Sequence, residues 1–178
     1  MAQGLILFLV LFPMAAAPVV FPLRKRDRRY RDRFIQLVPV AELAAALALL
    51  VCPAVELNLP GICGLGLTFS AGSLGRLLAV VAALLWAGTG AVSPPYFASA
   101  EGCNRYYLFW LLTEGALMGV FLAADLFTLF VFFEMMSFTS YVWVAQNETP
   151  QALRAAETYL AVAVIGGMTL LVGLLWLG

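Results

Sequence analysis

The sequence has no histidine. That removes the commonest metal ligand, a histidine-held haem and any Ser-His-Asp triad. Its three cysteines, Cys52, Cys63 and Cys103, are far apart and form no Cys-x-x-Cys pair. Iron–sulfur and zinc chemistry are therefore not expected, and the thiols read as small apolar groups. There is no Gly-x-Gly-x-x-Gly and no phosphate loop. So no cofactor, no metal and no catalytic centre is expected in this chain. Charge is scarce as well. Only 11% of the 178 residues are charged, against 63% hydrophobic, where a soluble domain has about 25% charged. There is one lysine, Lys25.

What is abundant is long uncharged runs, and runs of about 18 or more read as membrane helices. A soluble all-α protein is disfavoured, because several of these helices would lack a polar face. The expected fold is an all-α, polytopic membrane protein with six spans. They lie at about 5–23, 34–55, 74–92, 106–124, 126–146 and 150–177 and form a single transmembrane domain, residues 1–178. No basic residue precedes the first span, so it reads as a retained helix rather than a signal peptide. Pro13, Pro18 and Pro22 are expected to kink it. Residues 56–73 are rich in glycine and turn formers and predict an irregular or hairpin-like connection. Ser93, Pro94 and Pro95 are expected to end the third span. Thr149 and Pro150 predict an N-cap and first position for the sixth helix.

Residues 24–33, RKRDRRYRDR, hold seven of the ten basic residues. Beside a span, such a run is first a topology signal and does not imply nucleic acid. Arg105 and Arg154 fall in loops three and five, whereas loop two has only Arg76 near its end and loop four has none. The odd loops are therefore expected in the cytoplasm and both termini outside.

The acids inside the spans call for explanation. Glu134 stands eight residues into the fifth span, within ADLFTLFVFFEMMSFTSYVWVA. At 1.5 Å per residue that is about 12 Å deep in a core about 30 Å thick. An acid at the centre costs on the order of 2.5–3.5 kcal/mol on insertion scales. Such a residue normally faces protein and often marks an ion or proton route. Ser137 and Tyr141 share its helical face, with Phe127, Phe130 and Phe138, so hydroxyls there are expected to support the acid. The competing reading is a neutral acid that only pins helices together. Glu114, in the fourth span, reads equally as a second station or as a packing acid. Glu42 lies near the cytoplasmic start of its span, from which it can snorkel. Glu157 has Arg154 at i−3 as its expected partner, and Asp125 is expected to cap the fifth helix.

The stretch NRYYLFWLLTEGALMGVFLAADLFTLFVFFEMMSFTSYVWVA, followed by TPQALRAAETYLAVAVIGG, resembles the antiporter-like membrane subunits. These occur in respiratory complex I, Mrp cation/proton antiporters and membrane-bound hydrogenases. The motif DLFTLFVFFEMMSFTSY is most similar to the Mrp and hydrogenase branch. The resemblance is strong over about residues 104–175; the first hundred residues share only the layout. It implies that Glu134 is the family's proton-translocating glutamate, which pairs with a lysine on the seventh of about fourteen helices. That lysine has no counterpart here. Thr158 stands where many members have a lysine, and Ala71 lies where members often have an acid. The resemblance thus implies either the first part of a split or truncated subunit or a degenerate relative.

The function expected is a component of a multisubunit complex that translocates protons or exchanges cation for proton. NADH/quinone-type or hydrogenase-type redox chemistry, or an ion gradient, would drive it. Glu134 and Glu114 would carry the proton, supported by Ser137 and Tyr141. The implied partners are the lipid bilayer and other membrane subunits, one of which supplies the lysine-bearing helices. The implied place is the plasma membrane of a bacterial or archaeal cell. The alternative is a structural or assembly subunit that keeps the fold and moves no protons. A small membrane enzyme would need clustered acids or histidine at a membrane face, which the sequence lacks.

Overall fold

The computed structural model describes residues 2–24, 28–61, 66–97 and 102–177. Lys25 and Cys63 lie outside them. Helices dominate: α1 (Ala2–Ala16), α2 (Val20–Arg24), α3 (Arg28–Leu50), α4 (Ser73–Tyr96), α5 (Cys103–Leu122), α6 (Leu126–Val144) and α7 (Pro150–Leu177). A 3-10 turn, Ala17–Val19, joins α1 to α2, so the first expected span is one interrupted rod, with Pro13 in α1 and Pro18 in the turn. The chain is an all-α, polytopic membrane protein.

Residues 56–73 do form a hairpin. Strand β1 (Glu56–Leu59) pairs antiparallel with β2 (Leu67–Ser70), Glu56 opposite Ser70. The hairpin lies across one end of the bundle. Phe69 is buried, bridges to Ala123 and meets the Phe132 ring edge-on at 5.5 Å. The Ala124 N–H donates to the Thr68 carbonyl at 2.9 Å, and Gln3 donates to the Glu56 carbonyl at 3.1 Å. Arg76 donates to the Cys52 carbonyl at 2.6 Å, just past the end of α3, where a helix leaves acceptors unsatisfied.

Two expected boundaries are corrected. The second helix begins at Arg28 rather than near residue 34 and ends at Leu50; part of the basic cluster is its first turn, because arginine is a good helix former even outside the membrane. The third helix runs through Ser93, Pro94 and Pro95 to Tyr96. Pro95 cannot donate to the Ala91 carbonyl, and the Gln36 side chain donates to it instead, at 3.5 Å.

Five of these helical segments are long and apolar enough to cross a membrane: Ala2–Leu23, Arg28–Leu50, Ser73–Tyr96, Leu126–Val144 and Pro150–Trp176. The expected fourth span, now α5, is not among them. The reason lies in its position. α5 packs against α1, α4 and α6 and fully buries Tyr107, Leu111, Ala116, Met118 and Leu122. Protein rather than lipid surrounds it, so it can carry Asn104, Thr113 and Glu114. It still runs the length of the bundle, from the loops at Arg105 to the hairpin at Ala123. α7 is its opposite. Packed against α6, it exposes Val162, Ile165, Met168, Val172 and Leu175.

Candidate functional site

The helix that carries Glu134 is capped at its start, and so is the helix that follows it. Asp125 is its N-cap and accepts from the Thr128 N–H at 2.7 Å and the Thr128 hydroxyl at 2.8 Å. The Thr68 N–H donates to that same hydroxyl oxygen at 2.8 Å, which ties β2 to α6. Partial burial pushes the Asp125 carboxyl up, but these hydrogen bonds outweigh it and hold the group below its ordinary value of 3.8. Thr149 caps α7, accepting from the Ala152 N–H at 3.1 Å. Both expected caps are present.

Glu134 is half-buried, on the side of α6 that faces α7. Its carboxyl fills the space that a side chain on Gly167 would need. Of the expected supporting hydroxyls, Ser137 is buried but donates to the Phe133 carbonyl of its own helix at 2.8 Å, and Tyr141 is half-buried further along. Phe127 and Phe130 are half-buried, and Phe138 is exposed. The polar contacts of α6 run elsewhere. The Thr113 and Thr139 hydroxyls meet at 3.0 Å, with Trp143 donating to Thr113 at 3.2 Å. The Ser140 and Tyr159 hydroxyls are 2.7 Å apart. The sequence shows these hydroxyls but not which helix each one faces.

Glu114 points away from Glu134. Gly119 marks the side of α5 that touches α6, since a side chain there would strike the Phe132 ring. Glu114, five residues earlier, is about 140° away around the helix. It lies one turn beyond Trp110, which packs on Gly90 of α4 beside Pro39 of α3. Glu42 lies one turn beyond Pro39 in the same direction, because α3 and α5 run parallel. The two acids therefore share a level between α3 and α5. Both are fully buried, and none of their four oxygens has a hydrogen-bond partner.

This corrects the expectation that Glu42 snorkels. With α3 starting at Arg28, Glu42 is 14 residues in, or about 21 Å along the helix. Glu157 is corrected too. It and Arg154 are both exposed, and no ion pair joins them among the described residues. The ion pairs found there are Arg31–Asp32 and Arg105–Glu148, each at 2.6 Å.

Residues 123–178 match the family model described as "NADH:quinone oxidoreductase/Mrp antiporter, TM". Over that stretch the chain is similar to the antiporter-like membrane subunits. A protein of Staphylococcus haemolyticus (strain JCSC1435) named for an antiporter subunit, mnhD2, is 28% identical over 180 residues. Its namesake in Staphylococcus aureus (strain MRSA252) is 25% identical. Both alignments take in 98% of this chain and 36% of the relative, so the chain spans just over a third of the curated relatives it matches. The fold is similar to a chain of the membrane-bound sulfane sulfur reductase, an archaeal respiratory membrane complex (TM-score 0.79, 21% identity), covering 96% of this chain and 36% of that one. It is also similar to a chain of the Mrp complex from Dietzia sp. DQ12-45-1b (TM-score 0.80, 22% identity), covering 97% of this chain and 19% of that one. The matched family segment contains both Glu134 and Gly167.

Proposed function

We propose that this chain is a proton-path component of a multisubunit membrane complex of the cation/proton antiporter type, located in the plasma membrane. The observation that carries the reading is the placement of Glu134. It is a single carboxyl inside a membrane helix, held against a glycine of α7, with no basic partner among the described residues. An acid so placed can take up a proton and release it when a cation approaches. The cation would come from a lysine on helices beyond α7. The apolar, outward side of α7 supports their presence, as do relatives almost three times as long. Glu114, facing the other side of α5, would be a station apart from Glu134. The test is proton movement by the assembled complex when Glu134 is replaced by Gln.

A further inference from the structure

We propose that Glu42 and Glu114 form a second ionisable site, a carboxyl pair that holds one shared proton inside the bundle of α1, α3, α4 and α5. The site does not depend on the role of Glu134, which lies on another face of the structure.

Burial comes first. Both side chains are fully buried, and all four carboxyl oxygens lack a partner. An isolated carboxylate in such a place costs many kcal/mol, and two facing each other cost more. A nearby cation would relieve this, but none is available among the described residues. α1 has no ionisable side chain. Arg76, the charged residue of α4, holds the carbonyls of Leu50 and Cys52. On α3, Arg33 is exposed, Arg31 lies three turns toward the loops and is paired with Asp32 and Asn104, and Arg28 and Arg29 lie a further turn away and are exposed. Arg105 of α5 is paired with Glu148. From α6, Asp125 is taken up by its cap and Glu134 turns toward α7.

With no cation, a proton is the remaining way to remove charge. A carboxylic acid O–H in turn needs an acceptor, and the other carboxyl, at the same level, supplies one. A single proton between two carboxyls removes one charge and satisfies one oxygen of each. This is the arrangement by which two facing acids divide their titration.

A further observation points the same way. The Tyr107 and Ser93 hydroxyls are also buried and close enough to interact, and neither makes a hydrogen bond of good geometry. Tyr107 is two turns before Glu114 on one face of α5, and Ser93 is one turn past Gly90 on α4. Both lie between the acid pair and the loop end, where Arg31 covers the Tyr107 ring at 5.4 Å. As buried hydroxyls on that side, they offer a route by which the shared proton can exchange.

The experiment is infrared spectroscopy of the full chain in phosphatidylcholine vesicles at neutral pH, in H2O and then in 2H2O. Glu134→Gln removes the half-buried carboxyl of α6, leaving the pair as the fully buried carboxyls among the described residues. The expected result is one protonated-carboxyl C=O band with the area of one group, shifting on deuteration. Glu42→Gln or Glu114→Gln should each move that band without halving it, and the two together should remove it. Tyr107→Phe should slow its deuteration. Absence of the band in the Glu134→Gln chain overturns the proposal, whether or not the pair variants fold. So do two bands, each deleted by its own Gln variant, since that describes independent acids.

Discussion

The Glu134 carboxyl stands where a side chain on Gly167 would be. An acid on α6 and a missing side chain on α7 thus fit each other, and the glycine leaves the room in which the acid lies. Gly167→Ala should push the carboxyl out of its place, with the complex still assembled. A displacement of about 1 Å in a working group can cost roughly a hundredfold in rate, so most proton movement should be lost. Glu134→Asp withdraws the carboxyl by one carbon and makes room for the new methyl. The double variant should therefore move protons faster than Gly167→Ala alone. If Glu134→Asp makes Gly167→Ala worse, the two residues are not coupled in this way.

The cap of α6 gives a pH-dependent prediction. Asp125 is held below its ordinary value by Thr128 and Thr68. A carboxylate lowered in the folded state contributes stability above its unfolded value, here about 3.8, and loses it as pH falls through the folded value. Asp125→Ala should cost about 1 kcal/mol and flatten the stability profile below pH ~4. Asp125→Asn should keep most of the cap and lose the pH dependence. Detergent-unfolding midpoints against pH would check both. An unchanged midpoint in the Ala variant would show that the cap does not hold α6.

Orientation is tested separately. The basic cluster at 24–33 should face the cytoplasm, because basic loops resist export. A membrane-impermeant thiol reagent added outside should label a cysteine placed at residue 60, in the hairpin turn, and not one placed at residue 28. The reverse pattern would turn the molecule over.

Much of this was legible in the sequence, and particular residues show why. Thr149 and Asp125 cap their helices and Pro150 opens α7, as expected, because these are local effects. The hairpin was legible from its glycines; Gly61 and Gly66 both have positive φ. The line of Glu134 on its helix was legible as well, but not its partner. That partner is a missing side chain on another helix, and absences leave no trace in composition. Glu42 was misplaced because the cluster at 28–33 read as a loop, which put the start of the helix six residues late. Pro94 and Pro95 read as a stop, yet Gln36 from α3 takes the carbonyl that Pro95 leaves free. Hydroxyl pairs such as Thr113–Thr139 and Ser140–Tyr159 depend on helix packing, which spacing alone does not define.

The proposed function predicts partner dependence. The outward side chains of α7 are apolar, and the Glu134 groove has no cation among the described residues. The chain should co-purify with other membrane subunits in mild detergent and pass no protons when reconstituted alone. Flux through the purified chain in liposomes, abolished by Glu134→Gln, would show that it needs no partner.

The most direct test of the central claim is proton pumping by the assembled complex with Glu134→Gln. Glutamine keeps the shape and the fit to Gly167 but cannot cycle a proton. A proton-carrying Glu134 predicts normal assembly with pumping abolished or strongly reduced, and partial activity for Glu134→Asp. A Gln variant that assembles and pumps like the parent would contradict it and make Glu134 a packing acid.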